Sequence, residues 1–325
     1  MDNENMMLVM EALKNKNNFL ITAHLNPEGD SIGSQISMYY LLAALSKTAV
    51  IVNHDEVPVN LRFLTGSEHF FQQAPDDFCP EAFIVLDCPV KERTGRVAKC
   101  VGENGEVINI DHHVSNEFFA EINWVEPGAS SVGEMMFELF SRMDVKLEKE
   151  AREAIYTAIV TDTGMFNYNN TTSRTHEIVG RLISQGVDPK KMHERIFETR
   201  TVSDVRLLGK TLNSLKTEAD GKIAYIGLTQ EMYAEEGVRA VTTDEFINFP
   251  RAIEGAEIAI FFKENSQPEK INVSFRSKGK VNVNLLAACF GGGGHAQAAG
   301  CTLTNCSLKE AEEKVLAEAV KALKK

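Results

Sequence analysis

The first 113 residues alternate between apolar runs of strand length and longer helical segments, and this alternation limits the fold more than any other feature. The strand-like runs cover 19–25, 49–53, 82–87 and 107–111. A helix is predicted over 31–46, with Asp30 or Ser31 as its cap. Strands that alternate with helices are joined by parallel crossovers. The pattern predicts an α/β fold with a parallel sheet covered on both faces, in which ligands bind beyond the carboxyl ends of the strands.

The pattern changes beyond residue 113. Helices are predicted over 130–143, 149–160 and 172–185, before the helix-breaking residues of 186–189. Further strands at 222–228, 256–263, 270–276 and 301–303 precede an amphipathic helix over 307–325. We therefore expect a first domain at 1–187, a linker at 188–200 that forms a short charged helix, and a smaller mixed α/β domain at 201–325.

Composition narrows the class of protein. A length of 325 residues suits two domains, since one domain takes roughly 150. The six cysteines form no C-x-x-C pair, and the polar start MDNENMM with no long apolar run predicts a cytoplasmic protein without a membrane span. The net charge of −12 argues against binding long duplex nucleic acid. A small anionic substrate stays compatible with it, because bound divalent cations can make one cleft locally positive.

Polar side chains cluster where the predicted strands and one helix end. They are His24, Glu28, Asp30, Asp87, Asp111, His112, His113 and Asp162. Taken singly, each has an ordinary structural explanation as a helix cap, a turn residue or a hydrogen-bonded histidine. At one edge of a sheet, however, so many carboxylates would repel one another unless cations lay between them.

The residue types favour particular ions. Carboxylates and imidazoles without thiolates suit two divalent metal ions, Mn²⁺ first, with Mg²⁺, Fe²⁺ or Co²⁺ as substitutes. Two such ions activate a bridging water and neutralise phosphate oxygens. The sequence therefore predicts hydrolysis of a phosphoester or a phosphoanhydride.

The stretch FGGGGHAQAAG, residues 290–300, is the second candidate site. Its glycines could form a flexible loop. Alternatively, the N–H groups of Gly291, Gly292, Gly293 and Gly294, with His295 and a helix-like HAQAAG after them, could hold a phosphate. Arg276 would add a bidentate phosphate contact, and Lys278 and Lys280 are weaker candidates.

Four motifs in order, HLNPEGDSIGS, VLDCP, NIDHH and TDTGMF, resemble those of the DHH phosphoesterases. The segment FRSKGKVNVNLLAACFGGGGHAQAAG resembles the substrate-binding motif of their associated C-terminal domain. In size and layout the chain is similar to the stand-alone nanoRNase group, which degrades very short RNA and dephosphorylates pAp.

The resemblance implies a role for each site residue. His24, Glu28 and Asp87 would hold one ion, and Asp30, His112, Asp162 and again Asp87 would hold the other. His113 would contact the substrate phosphate, and Asp111 would orient a ligand histidine. The family usually has aspartate where this chain has Glu28, whose longer side chain can still reach a metal.

The function expected from this resemblance is attack of a metal-bound hydroxide on pAp or on a short 5′-phosphorylated single-stranded RNA. The C-terminal domain would close over the substrate through the segment 186–200. Three alternatives stay open: a phosphodiesterase for pApA or cyclic dinucleotides, a pyrophosphatase or exopolyphosphatase, and a non-catalytic nucleotide-binding regulator. A homodimer is also left open.

Overall fold

The computed structural model describes residues 3–103, 105–237, 243, 245–267 and 269–324. The chain divides into two compact units, Met1–Thr199 and Arg200–Lys325. The segment 188–200, predicted as a linker, contains a helix whose Met192 and Ile196 are buried in the core of the first unit. Within the described ranges, no helix is both long and apolar enough to cross a membrane.

The first unit contains six strands and six α-helices among its described residues, joined by three short 3₁₀ segments at Val59–Leu61, Ser67–His69 and Lys91–Lys99. In chain order the elements are α1 (Asn3–Asn15), β1 (Asn18–Thr22), α2 (Gly29–Ala44), β2 (Thr48–Val52), β3 (Phe70–Phe71), β4 (Ala82–Leu86), β5 (Glu106–Asp111), β6 (Ile122–Val125), α3 (Val132–Arg142), α4 (Lys149–Asp162), α5 (Ser173–Ser184) and α6 (Pro189–Phe197).

The six strands form one parallel sheet in the order β3-β2-β1-β4-β5-β6. Ile21 of β1 pairs with Ile51 of β2 on one side and with Ile84 of β4 on the other. The predicted α/β class with a parallel sheet is therefore confirmed. Three elements were not predicted, namely α1, β3 and β6, and the two strands are only 2 and 4 residues long.

Side chains alternate between the two faces of this sheet. Phe19 and Ile21 point into the larger core, which the α-helices complete, whereas Leu20 belongs to a smaller core with Val97 and Val101. The α-helices therefore cover one face of the sheet. The 3₁₀ segment Lys91–Lys99 and its neighbouring loops cover the other face.

Helices α2 and α4 approach each other closely because α2 carries glycine at the contact. A Cβ atom on Gly33 would lie 2.3 Å from the carbonyl oxygen of Ala154, and one on Gly29 would lie 2.3 Å from Thr161 Oγ1. Either atom would overlap its neighbour, so a larger residue would push the helices apart. This contact places the first turn of α2 beside the last turn of α4.

The second unit contains a mixed sheet in the order β11-β12-β10-β9-β8-β7. Its elements are α7 (Val202–Asn213), β7 (Lys216–Glu218), β8 (Ile223–Leu228), α8 (Gln230–Glu236), α9 (Asn248–Ala252), β9 (Ile258–Glu264), β10 (Lys270–Ser277), α10 (Val283–Ala288), β11 (Gly293–Gly294), β12 (Ala298–Thr304) and α11 (Leu308–Ala322). Strands β8 and β9 are parallel, and the other pairs are antiparallel. The expected mixed α/β second domain is confirmed; the last residue of its predicted helix, Lys325, lies outside the described residues.

Candidate metal centre and active site

The carboxyl ends of three neighbouring strands carry the first predicted site residues. His24 lies two positions beyond the end of β1, Asp87 directly follows β4, and Asp111 is the last residue of β5. Asp87 has a left-handed backbone with φ of 53°. Aspartate and asparagine tolerate this conformation better than most residues. The backbone therefore turns sharply at Asp87, directly after the last residue of β4.

Among the described residues, three sets of nitrogen and oxygen atoms lie close enough to share a cation. The sets are His24 with Glu28 and Asp87, Asp30 with His112 and Asp162, and Asp87 with His112 and His113. Within each set the donor atoms all lie within 4.8 Å of one another. All donors are carboxylate oxygens or imidazole nitrogens, a combination that fits hard or borderline divalent cations.

Asp87 belongs to two of these sets and faces each with a different oxygen. Its Oδ2 lies 3.2 Å from His24 Nε2, and its Oδ1 lies 3.7 Å from His112 Nε2. His112 Nε2 is also 3.8 Å from Asp30 Oδ2 and 3.6 Å from Asp162 Oδ2. The predicted ligands therefore converge, with Asp87 between the two groups.

Hydrogen bonds to acceptor oxygens fix the orientation of both predicted ligand histidines. His24 Nδ1 lies 2.6 Å from the carbonyl oxygen of Leu25, and His112 Nδ1 lies 3.3 Å from that of Ala129. A carbonyl oxygen can only accept, so each Nδ1 carries the proton. Each Nε2 is thereby turned toward the carboxylates, as expected of a metal-binding imidazole.

Crowding of like charges perturbs the acids of this site. Burial raises the pKa of Asp87 well above its usual range, and the negative charge of Asp30 raises it further. Burial and the charge of Asp30 act in the same way on Asp162. Burial lowers the pKa of His24, but its hydrogen bonds to Asp87 and Glu28 outweigh that effect and raise it to about 10. The site therefore attracts positive charge strongly.

Asp30 contributes to a different helix from the one expected. The N-cap of α2 is Glu28 and not Asp30 or Ser31, although Ser31 completes the capping box, since its Oγ accepts from Glu28 N at 3.0 Å. The fully buried Asp30 carboxylate instead accepts hydrogen bonds from the backbone N–H groups of Val132 and Gly133, at 2.8 and 2.9 Å. These N–H groups belong to the first two residues of α3, and the positive N-terminal end of the helix dipole stabilises a carboxylate.

Asp111 orients His113 rather than one of the predicted ligand histidines. Its Oδ1 lies 2.7 Å from His113 Nδ1, and its Oδ2 accepts from Asn116 Nδ2 at 2.6 Å. Asn116 Nδ2 also donates to Asn109 Oδ1 at 2.7 Å. Burial raises the pKa of Asp111, but its hydrogen bonds to His113 and Asn116 and the charges of the two histidines together lower it below its usual value. Sequence reasoning missed Asn109 and Asn116, although a polar residue inside the apolar run of β5 was a usable signal.

Glu28 combines two roles in this structure. Its carboxylate accepts from the backbone N–H groups of Asp30 and Ser31, at 2.9 and 3.1 Å, and so caps α2. The same carboxylate lies 3.8 Å from His24 Nε2. The longer glutamate side chain therefore reaches both the helix N-terminus and the first set of predicted ligands.

Substitution of Glu28 separates these roles. Glu28→Gln should keep the cap, because an amide oxygen still accepts, but it should weaken Mn²⁺ binding because the charge is lost. Glu28→Ala should also lower the free energy of unfolding by about 1 kcal/mol. Thermal unfolding in chelator and Mn²⁺ titration measure the two effects. Wild-type Mn²⁺ affinity in Glu28→Gln would show that the residue only caps the helix.

The glycine-rich stretch of the second unit forms a hairpin, which corrects the predicted helix-like HAQAAG. Strand β11 pairs with β12 through Gly294 and Ala299, and His295 N donates to Ala298 O at 2.7 Å. A Cβ on Gly292 would lie 2.2 Å from the carbonyl oxygen of Gly300, so the close pairing requires glycine there. These residues therefore do not form the helix N-terminus that was predicted to bind a phosphate.

Arg276 lies on β10 opposite Ala298, the residue whose carbonyl bonds His295 N. Arg276 and His295 therefore both lie beside Ala298 of β12, Arg276 on the neighbouring strand β10 and His295 in the turn of the hairpin. The weaker candidates have other contacts: Lys278 Nζ donates to Ile253 O at 2.7 Å, and Lys280 Nζ lies 3.3 Å from Glu257 Oε1. Binding of substrate by this hairpin stays a prediction.

The fold and the cluster together define a class: α/β proteins with carboxylates and imidazoles at the carboxyl edge of a parallel sheet. Residues 18–159 match the model of the DHH family N-terminal domain, and residues 220–325 match the DHHA1 domain. The chain is 34% identical, over 98% of its length and 94% of the relative's, to the bifunctional oligoribonuclease and PAP phosphatase NrnA of Thermus thermophilus. The NrnA of Bacillus subtilis is 28% identical over 87% of this chain and 88% of its own length.

Among solved structures, an exopolyphosphatase-related protein from Bacteroides fragilis matches with a TM-score of 0.89 at 29% identity, covering 98% of this chain and 96% of that one. The chain belongs to the DHH family and is similar to NrnA throughout. It is a phosphoester hydrolase of a metal-dependent family, and the described residues contain groups that could bind metal.

Proposed function

We propose that this enzyme hydrolyses short oligoribonucleotides and pAp with the help of two divalent cations, preferably Mn²⁺. The observation that carries the proposal is the position of Asp87, whose two oxygens face two separate sets of donors, 3.2 Å from His24 and 3.7 Å from His112. A carboxylate in that position is suited to bridge two ions. Such a pair supplies charge neutralisation at phosphate oxygens and lowers the pKa of a water.

The chain's own residues divide into two ligand sets. His24 and Glu28 would hold one ion and Asp30, His112 and Asp162 the other, with Asp87 shared between them. Both histidines present Nε2 because their Nδ1 atoms are held by backbone carbonyls. The excess of carboxylates, with pKa values of Asp87 and Asp162 raised by burial and by Asp30, supports occupation by cations.

His113 is the proposed contact for the substrate phosphate. Its Nδ1 lies 2.7 Å from the Asp111 carboxylate, which only accepts, so Nδ1 carries the proton and the ring is held in one orientation. Asp111 is fully buried and held in turn by Asn116. This arrangement keeps the imidazole from rotating, and a fixed imidazole positions a phosphate more effectively than a mobile one.

The substrate class rests on the relatives. Two NrnA proteins that cover most of this chain are named as oligoribonucleases and PAP phosphatases. We place the terminal phosphate near Arg276, Gly291–Gly294 and His295 of the second unit, because Arg276 pairs with Ala298 and His295 N donates to the carbonyl oxygen of the same residue. The hairpin replaces the helix N-terminus as the predicted anion site.

A substrate panel with Mn²⁺ tests the proposal. The panel consists of pAp, pApA, a short oligoribonucleotide, a long RNA, cyclic di-AMP, pyrophosphate and polyphosphate. We expect pAp and the short RNA to be hydrolysed fastest and the long RNA slowest. The assignment is wrong if pyrophosphate or polyphosphate is the best substrate, and tight pAp binding without turnover would indicate a regulator.

Exopolyphosphatase activity is the second candidate. It is favoured by the Bacteroides fragilis structure, which is described as an exopolyphosphatase-related protein and superposes over nearly the whole chain. A binuclear centre also suits phosphoanhydrides, because both reactions displace an oxygen at phosphorus. Release of phosphate from polyphosphate in the same panel decides between the two candidates.

A further inference from the structure

The five residues 129–133 run from the loop after β6 into the first turn of α3, and they touch two predicted ligands of one metal set directly. The Ala129 carbonyl accepts from His112 Nδ1 at 3.3 Å. The backbone N–H groups of the first two residues of α3 donate to the Asp30 carboxylate at 2.8 and 2.9 Å. One short segment therefore fixes an imidazole and a carboxylate that come from different parts of the chain.

Asn170 connects the same segment to the third member of that set. Its Nδ2 donates to the Ser130 carbonyl at 2.8 Å, to the Asp162 carbonyl at 3.1 Å and to Asp162 Oδ2 at 3.2 Å. Asp162 is the last residue of α4, where the carboxylate would otherwise be free to change rotamer. The amide thus ties the Asp162 carboxylate to residue 130.

The segment itself is rigidly held. Ser131 caps α3, since its Oγ accepts from Glu134 N at 3.1 Å. Ser130 Oγ donates to the buried Glu134 carboxylate at 2.7 Å. A segment anchored on both sides of its cap can act as a fixed frame for the groups that bind to it.

We infer that residues 129–133, together with Asn170, are a positioning element that sets the spacing and the cation affinity of the Asp30–His112–Asp162 set. This inference rests on the proposed metal centre. Partners in the outer shell of a metal site orient its ligands, and their loss lowers metal affinity about 10- to 100-fold. None of these groups needs to touch the ion or the substrate.

The backbone contact can be tested by a proline substitution. Val132 is the first residue of α3, where proline is well tolerated, and Ser131 before it is already extended, with φ of −169° and ψ of 165°. Val132→Pro therefore removes the N–H that Asp30 accepts without breaking the helix. Val132→Ala is the matched control, because it also removes the branched valine side chain but retains the N–H.

The side-chain contact is tested by Asn170→Ala, with the exposed Asn167→Ala as its control. Free Mn²⁺ is counted by electron paramagnetic resonance during titration of each variant. We expect Val132→Pro and Asn170→Ala to bind one of two ions about 10- to 100-fold more weakly than their controls, and the other ion normally. Unfolding in chelator checks that each variant is folded; if Val132→Pro is not, Asn170→Ala carries the test.

Two results would overturn the inference in distinguishable ways. If the wild-type protein binds two Mn²⁺ ions and each variant matches its control, the positioning element is refuted and the metal centre stands. If the wild-type protein binds no Mn²⁺, the metal centre fails and the inference fails with it.

Discussion

Replacing Asp87 with asparagine should lower hydrolysis of every substrate by about a thousandfold or more, because several kcal/mol of charge stabilisation is lost at both ions. The Asp87 oxygens face both ligand sets, so a single neutral substitution weakens both together. Asparagine also accepts the left-handed backbone at this position, where φ is 53°. The loss should therefore appear in turnover and not in folding.

The same variant should be no less stable than the wild type when divalent cations are removed. Burial and the charge of Asp30 raise the pKa of Asp87, so folding favours its protonated form. The protonated form therefore adds to the free energy of unfolding. This stabilisation is fully present below the pKa of about 4 that Asp87 has in the unfolded chain, and it is lost as pH rises through the pKa in the folded protein. At neutral pH the aspartate therefore lowers the free energy of unfolding. Any gain in stability from the neutral asparagine should disappear as pH falls.

Thermal unfolding in chelator at several pH values measures this effect, and the exposed Asp76→Asn serves as the matched control. We expect Mn²⁺ to raise the unfolding temperature of the wild type and of the control but to have little effect on Asp87→Asn. A variant that unfolds far below the wild type in chelator would indicate that Asp87 has a structural role. Full activity in the variant would refute the bridging position.

Removal of divalent cations should abolish turnover, and the apparent Mn²⁺ affinity should rise with pH. His24 has a pKa of about 10, and the pKa values of Asp87 and Asp162 are raised, so these groups hold protons that a cation must displace. Each displaced proton weakens binding by up to about tenfold for every pH unit below the pKa. Binding should therefore be weakest at acid pH.

Calorimetric titration of Mn²⁺ in two buffers with different ionisation enthalpies counts the protons released. At neutral pH we expect at least one proton to leave, and His24→Asn should release fewer. His193→Gln is the matched control, since this partly exposed histidine lies on α6, away from the predicted ligands in the sequence. Binding that releases no proton and does not change with pH would contradict the charge arrangement described for the site.

Much of the parallel sheet could be predicted because its strands are locally encoded. The runs that became β1, β2, β4 and β5 are apolar, of strand length and bounded by helices or turns. By contrast, β3 and β6 are too short to show a period, and their pairing depends on the strands beside them. Short edge elements of this kind are set by the sheet they join.

In the glycine-rich hairpin, the local sequence predicted a helix but pairing with neighbouring strands produced a strand. Alanine and glutamine in HAQAAG have good helix propensity, yet Ala298 and Ala299 pair with Arg276 and Phe275 of β10. The ladder with β10 satisfies backbone groups that a short isolated helix would leave at its ends. Propensity over six residues is too weak to compete with that pairing.

The alternation of strands and helices, the order of the four motifs and the residue types at the strand ends are encoded locally along the chain. These follow from neighbouring residues, whose periodicity and chemistry are readable along the chain. Which groups hold the site residues depends on tertiary contacts: Val132 N of α3 donates to Asp30 across 102 positions, Asn116 holds Asp111, and Asn170 holds Asp162. Such partnerships depend on how α2, α3 and α4 pack, because a hydrogen bond needs a distance and a direction that only the folded chain supplies.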